Sequence, residues 1–359
     1  MASLFDPIQL GSIHAANRII MAPMTRGRAT KDHIPTEIMI DYYRDRASAG
    51  LIIAEGTGIS QEGLGWPYAP GIWSKEQVEA WKPIVDAVHE AGGMIISQLW
   101  HMGRTVHPSF HPHPISASDT TAPRWAHTYD GKKPYEQARA LPINEIPRLL
   151  NDYAQAAKNA MEAGFDGVQI HAANGYLIDQ FLRDSSNFRE DEYGGSIENR
   201  IRLLIQVTQT VNQTVGADKT SVRLSPNELV QGVIDSNSEA LFVAATQALS
   251  KEKINFLEVR EPRAGEDNFI MADLTDDDLY PAIAPAMRKN FDGHFIINGS
   301  YNGESAKQVM KNNEADGVAF GRPFISNPDL VNKIKNNISF TPDDAKTWFT
   351  QGKEGYSDY

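Results

Sequence analysis

Cysteine is absent from this chain of 359 residues. Its absence excludes a disulfide framework, a thiolate nucleophile and a cysteine-held iron–sulfur cluster. Long apolar runs are missing too, and no uninterrupted stretch approaches the ~20 residues needed to span a bilayer. The opening MASLFDPIQLGS lacks the basic segment and apolar run of a secretory leader. Positive charge is scarce: 34 Lys and Arg stand against 46 Asp and Glu, for a net of -12. That balance repels nucleic acid and acidic lipid and leaves room only for a local basic pocket. The chain reads as a cytoplasmic protein that partners neither nucleic acid nor membrane.

What is present is the composition of a folded domain. Hydrophobic residues make up 41 % and charged residues 22 %, too apolar for a disordered chain. Eight short, mostly apolar runs recur at 18–22, 51–54, 94–98, 167–170, 221–224, 255–259, 294–297 and 317–320. Helix-like segments follow at 36–49, 75–91, 144–163, 197–215, 238–249, 279–289 and 303–311, and a last one lies beyond Pro328. Short apolar strands without clear alternation are typical of parallel sheets covered on both faces. Eight strand–helix units over this length predict an α/β fold of the (β/α)8 TIM-barrel type, with an open doubly wound sheet as the rival. The stretch 4–13 predicts a β-hairpin capping the barrel floor. Residues 101–143, rich in His, Pro, Ser and Thr, form a long excursion after the third strand, read as a lid-like insertion. No composition break marks a second domain, so residues 1–359 are expected to form one unit.

Barrel enzymes place their chemistry at the C-terminal ends of the strands. The polar residues there are Thr25, Glu55, Gln98, His171 with Asn174, Arg223, Glu258, Asn298 and Arg322. Carboxylates are few, which argues against a hydrolase built on two metals or two acids. Gly299 and Gly303 after the seventh strand, with Gly321 and Arg322 after the eighth, suit a phosphate site. Their alternative role is ordinary turn chemistry. His171 and Asn174, three apart beyond the fourth strand, are suited to donating to one oxygen and stabilising its developing charge. A histidine merely hydrogen-bonded in the barrel mouth is the competing reading. No accompanying ligand spacing makes His171 a metal ligand, and the prolines around His101, His107, His111 and His113 give those residues no fixed geometry, so no metal is expected. Arg223 is either a cation facing a ligand or the partner of Glu55 or Glu258. Gln98 offers a donor and an acceptor to a ring edge carrying both.

The ordered motifs resemble the Old Yellow Enzyme family of FMN-dependent ene-reductases, in its bacterial N-ethylmaleimide and nitrate-ester reductase branch. The likeness rests on Asn17-Arg-Ile-Ile-Met-Ala-Pro-Met-Thr-Arg26, Gln98-Leu-Trp-His-Met-Gly-Arg104 and His171-Ala-Ala-Asn-Gly-Tyr-Leu177. It continues through Ser186-Asn-Phe-Arg189, Asp191-Glu-Tyr-Gly-Gly-Ser-Ile-Glu-Asn-Arg200, Val222-Arg-Leu-Ser-Pro226, Phe320-Gly-Arg-Pro-Phe324 and Glu354-Gly-Tyr-Ser-Asp-Tyr359.

The resemblance implies tightly bound, non-covalent FMN across the barrel mouth, with NADPH or NADH as reductant. Pro23, Met24, Thr25 and Gly56 would line the isoalloxazine, and Gln98 and Arg223 would meet its pyrimidine edge. Asn298, Gly299, Ser300, Gly321 and Arg322 would hold the phosphate. His171 and Asn174 would bind the electron-withdrawing group of an activated alkene or nitro compound, with Tyr176 as proton donor. Tyr68, Trp100 and Tyr356 would wall the substrate pocket. The implied reaction is ping-pong reduction of enones, maleimides and nitroalkenes, with nitrate esters as a further class, by a monomer or homodimer. Two rivals remain at this stage. One is a cofactor-free phosphate-binding barrel, an aldolase or isomerase, using Glu55 or Glu258 as base. The other is a barrel that binds without catalysis.

Overall fold

The computed structural model describes residues 2–227, 230–261 and 281–359. The N-terminal hairpin pairs β1 (Ile8–Leu10) with β2 (Ile13–Ala15). The first barrel strand, β3 (Ile19–Met21), leads to α1 (Ile38–Arg44), much shorter than the helix expected over 36–49. Then come β4 (Leu51–Gly58), α2 (Lys75–Glu90) and β5 (Ile95–Trp100). The excursion holds no α-helix among its described residues. It folds as a parallel pair, β6 (Ile115–Ser116) with β9 (Arg139–Ala140), around a hairpin of β7 (Trp125–Thr128) and β8 (Gly131–Pro134).

Beyond it run α3 (Ile146–Glu162), β10 (Val168–His171), α4 (Leu177–Leu182), α5 (Ile197–Arg200), α6 (Arg202–Val215) and β11 (Thr220–Leu224). The remaining elements are α7 (Ser238–Lys251), β12 (Phe256–Arg260), α8 (Ala284–Lys289), β13 (His294–Asn298), α9 (Gly303–Asn312), β14 (Gly317–Phe320), α10 (Pro323–Ser326) and α11 (Leu330–Asn336). Positions 279 and 280 of the helix expected at 279–289 lie outside the described residues.

Eight parallel strands close a barrel in the order β10-β11-β12-β13-β14-β3-β4-β5, with β5 pairing back to β10. The fold is a (β/α)8 barrel. Side chains alternate across each strand, so one set faces the helices and the other faces the barrel axis. Ile19, Met21, Ile52, Ile95, Val168, Val222, Leu257, Phe295 and Val318 pack with the helices in the larger apolar core. The axial set begins apolar: Ile20, Leu51, Ile53, Ile96, Phe256, Ile296 and Ala319 pack against Ile8, Leu10 and Ile13 of the hairpin. The hairpin thus seals the floor. Further along the same strands the axial positions turn polar, as Gln98, Gln169, His171, Arg223, Glu258 and Asn298.

A C-terminal strap completes the rim. Arg26 donates through Nε to the Trp348 carbonyl at 3.1 Å and through Nη2 to the Gly355 carbonyl at 2.7 Å. Arg28 donates to the carbonyls of Thr347 and Trp348 at 3.0–3.1 Å and to that of Glu354 at 3.0 Å. Tyr356 stacks on Tyr42, with centroids 4.1 Å apart and planes 4° from parallel, and Arg28 lies 4.6 Å from its ring centroid. Gly355 has φ +63°, and a Cβ there would collide with Thr347 Oγ1, so only glycine makes this turn.

The loop bearing Arg26 is held by Glu55, whose carboxylate accepts from Arg26 N–H at 3.1 Å and from the Tyr43 hydroxyl at 3.1 Å. Burial pushes the Glu55 carboxyl up to about 7, against the opposing pull of those two donors and the arginine charges.

Arg28→Met is expected to cost about 2–4 kcal/mol, because several buried carbonyls lose a charged donor together. Limited proteolysis should then cut within 345–359, and a tail as resistant as the native one would contradict the strap. Glu55 binds its proton more tightly folded than unfolded, so its stabilising contribution is complete below pH ~4.5 and fades as pH rises through about 7. Melting temperatures from pH 5 to pH 8 should therefore fall more steeply for the native chain than for Glu55→Gln.

Candidate active site

A cavity of about 600 Å³ opens at the C-terminal ends of the barrel strands, within the range of small-molecule and cofactor sites. Its wall gathers Pro23, Met24 and Thr25 after β3, Gly56 on β4, Gln98 and Trp100 on β5, and His171, Asn174 and Tyr176 at and beyond β10. Arg223 on β11, Asn298, Gly299 and Ser300 at the end of β13, and Gly321 and Arg322 after β14 complete the expected set.

Two expected wall residues are not brought there. Tyr68, at φ +58°, stands edge-on to Tyr129 with centroids 5.1 Å apart, outside the cavity lining. Tyr356 is fully buried against Tyr42 and Arg28, where it anchors the strap rather than lining the cavity. The aromatic positions at the mouth go to Trp66, His127 and Phe349 instead, which come from three distant segments. Trp66 lies 4.7 Å from His127 and 5.1 Å from Phe349 between ring centroids.

The turn beyond β10 is held rigidly. Asn174 sits in the left-handed region at φ +59°, which Asn tolerates better than most residues. Its N–H donates to Ser225 Oγ at 2.8 Å. The next N–H, of Gly175, donates to Asp179 at 2.9 Å, and Asp179 pairs with Arg183 at 2.8 Å, both fully buried. Arg183 in turn donates to the carbonyls of Ser225 and Pro226. A closed circuit therefore ties the His171–Tyr176 turn to the loop after β11.

His171 Nδ1 and Asn174 Oδ1 are buried and have no hydrogen-bond partner among the described residues. Burial, reinforced by the Arg223 charge, holds the His171 imidazole well below its ordinary value, so it is neutral at working pH. Burial also raises the Tyr176 phenol above its usual range, although Arg223 pulls the other way. The Tyr176 ring stands edge-on to His171 at 5.1 Å and to Trp100 at 5.0 Å. Gly56 makes room for that indole, because a Cβ there would lie 2.7 Å from Trp100 Cε3.

The cavity wall also carries three arginines, Arg223 beside His171 and then Arg260 and Arg322. Burial and the nearby charges of Arg223 and Arg322 push the Arg260 guanidinium down to about 9, still charged at neutral pH. Arg260 lines the same wall and went unnoticed in the sequence, although its place two residues beyond Glu258 puts it on the axial face of β12. Arg260 and Arg322, whose like charges repel, favour a bound phosphate beside the Gly299 and Gly321 loops.

Together the donors match flavin mononucleotide. The amide of Gln98 and the Arg223 guanidinium suit a ring edge with alternating acceptors and a donor, and the arginine cluster suits its phosphate. Among the described residues, no cluster of His, Asp and Glu is arranged to hold a metal. No helix among them is long and apolar enough to cross a membrane.

The chain is similar along its whole length to known proteins. Residues 3–340 match the model of the NADH:flavin oxidoreductase / NADH oxidase family. The solved structure of an Old Yellow Enzyme homologue from Zymomonas mobilis is 56 % identical, with a TM-score of 0.96 over 100 % of this chain and 99 % of that one. Morphinone reductase, solved in complex with tetrahydroNAD, is 39 % identical with a TM-score of 0.92, covering 100 % and 97 %. Among curated proteins, 12-oxophytodienoate reductase 2 of Arabidopsis thaliana is 39 % identical over 362 residues, 99 % of this chain and 95 % of its own length. The chain belongs to the NADH:flavin oxidoreductase / NADH oxidase family, in its Old Yellow Enzyme branch, and is an FMN-dependent NAD(P)H oxidoreductase of the ene-reductase type.

Proposed function

We infer that His171, Asn174 and Tyr176 are the residues that act on the alkene, and that the substrates are enones, maleimides and nitroalkenes. The observation that carries this reading is the unpartnered buried His171 Nδ1, beside the Asn174 amide on the cavity wall and a phenol that keeps its proton. Bound FMN supplies two-electron hydride chemistry between NADPH or NADH and the alkene. Pro23, Met24, Thr25 and Gly56 would lie along its ring, Gln98 and Arg223 at its pyrimidine edge, and Asn298, Gly299, Ser300, Gly321 and Arg322 around its phosphate.

The protein residues then divide the remaining work. Neutral His171 and Asn174 each donate to the carbonyl or nitro oxygen of the substrate and stabilise the negative charge that grows there as the β-carbon is reduced. Burial, reinforced by the Arg223 charge, suppresses protonation of His171, so the imidazole binds this oxygen without transferring a proton to it. Tyr176 delivers the proton to the α-carbon, and its raised value keeps that proton available through the neutral range. Trp66, Trp100 and Phe349 give flat apolar contact to a conjugated substrate.

This reading treats residues 1–359 as one barrel domain with 101–143 as a lid-like insertion that contributes His127 to the mouth. It also has the enzyme working in the cytoplasm as a monomer or homodimer, without nucleic-acid or membrane partners. The acidic net charge supports the absence of nucleic-acid and membrane partners.

The purified protein should be yellow and release FMN on denaturation, and a colourless preparation that takes up no added FMN would refute the cofactor. His171→Ala combined with Asn174→Ala should leave FMN bound while slowing alkene reduction by about 10²–10³-fold or more. In rapid mixing, Tyr176→Phe should slow the alkene half-reaction but leave flavin reduction by NAD(P)H near the native rate. Equal losses in both halves would remove Tyr176 from the proton-donor role.

A further inference from the structure

Below the cavity, five side chains from five adjacent strands form one connected polar line. Gln98 Nε2 donates to Gln169 Oε1 at 2.8 Å, and Gln169 Nε2 donates to Glu258 Oε2 at 2.8 Å. The other oxygen of Glu258 lies 3.4 Å from Arg223 Nε, an ion pair without good hydrogen-bond geometry. Arg223 Nη2 donates to Asn298 Oδ1 at 2.8 Å, and Asn298 Nδ2 donates to the Ala319 carbonyl at 2.8 Å. Gln98, Arg223 and Asn298 line the cavity, but Gln169 and Glu258 do not, and both are fully buried.

A primary amide can turn over at little cost unless its neighbours forbid it. A carboxylate only accepts, so Gln169 must turn its NH2 towards Glu258 and its oxygen towards Gln98. Gln98 must then spend one N–H downwards, which leaves its oxygen and second N–H for the cavity. Glu258 therefore orients an amide two residues away along the hydrogen-bond line. It also faces Arg223 across 3.4 Å in the buried interior, where a counter-charge moderates the field that the guanidinium projects upwards.

We propose that Glu258 is a positioning residue for the flavin: it fixes the direction of Gln98 through Gln169 and offsets the charge of Arg223, and so sets the balance between oxidised and reduced cofactor. The proposal rests on the reading that Gln98 and Arg223 meet the pyrimidine edge. Removing the carboxylate charge would leave Arg223 uncompensated at the pyrimidine edge, which favours the more electron-rich, reduced state. Native Glu258 thus holds the potential lower and keeps the hydride easier to give.

The test uses FMN-loaded native enzyme, Glu258→Gln and Gln169→Leu, with the midpoint potential, the visible spectrum and FMN affinity as readouts. Glu258→Gln should move the potential to more positive values, changing the reduced-to-oxidised ratio at a fixed ambient potential by about tenfold or more. It should also slow the alkene half-reaction relative to reduction by NAD(P)H. Gln169→Leu removes the orienting link but no charge, so it should alter the spectrum and FMN affinity while moving the potential much less.

A loaded Glu258→Gln enzyme with native potential overturns the proposal. If that variant does not fold, Glu258→Asp decides, because it retains the charge but withdraws it from Gln169; a native spectrum and potential there would equally overturn it. Arg223→Lys and Gln98→Leu separate the two levels of inference. If neither affects the flavin, the reading of the pyrimidine edge fails; if they do and Glu258→Gln does not, only the role of Glu258 fails.

Discussion

The structure depends on the register that sends every second side chain of the eight strands towards the barrel axis. Axial residues near the strand starts are apolar and pack against the N-terminal hairpin, whereas those near the strand ends are polar and face the cavity. A closed barrel has no edge at which a buried polar group can reach water. Each axial polar group must therefore find its partner on a neighbouring strand. The line from Gln98 to Asn298 meets that requirement for five of them, and among the atoms left without a hydrogen-bond partner, His171 Nδ1 belongs to the cavity wall. Packing and function are here two results of one alternation.

The same logic explains why the site depends on chain far from it in sequence. Arg26 and Arg28 follow the first barrel strand, yet most of their hydrogen bonds go to the last residues of the chain. Those bonds set Trp348 and Phe349 at the mouth, facing Trp66 and His127 from two other excursions. The barrel supplies the floor and the reacting groups, while three loops and the tail supply the rim. Changes in the rim can therefore alter what enters without touching the groups beneath it.

How much of this was legible follows from the range of each interaction. Eight short apolar runs separated by helical segments mark the strand–helix units, because that spacing is local, whereas closure of the sheet through β5 and β10 is a long-range pairing that periodicity does not carry. The expected bounds of α1 ran past its true ends because apolar periodicity marks a buried face, not the residue at which hydrogen bonding stops. At β4 the run 51–54 continues to Gly58 through a register shift between Ile53 and Gly56, which no periodicity reveals. Gln169 was hidden among apolar neighbours, although its spacing of two from His171 places both on the axial face. Tyr356 was misplaced because its partners, Tyr42 and Arg28, lie more than 300 positions away in sequence. Nothing local distinguishes an aromatic that lines a cavity from one that anchors a tail.

The rival barrel chemistry fails for a physical reason that the sequence could not supply. An aldolase or isomerase on this scaffold needed Glu55 or Glu258 as a base reaching the substrate. Glu55 is instead held by the Arg26 N–H and the Tyr43 hydroxyl, and Glu258 lies below the cavity between Gln169 and Arg223. Neither carboxylate lines the cavity, so neither can remove a proton from a molecule bound there. Asp343 lies on the wall too, but at the rim, where its carboxylate accepts from Trp348 Nε1 at 2.6 Å; the deeper groups are cations, amides and neutral hydrogen-bonding side chains, which stabilise negative charge. Such a site suits a reaction in which an electron-rich cofactor does the reducing and the protein receives the charge that results. The net charge of -12 is thus a property of the surface as a whole, and Arg223, Arg260 and Arg322 on the cavity wall are the local exception that the chemistry requires.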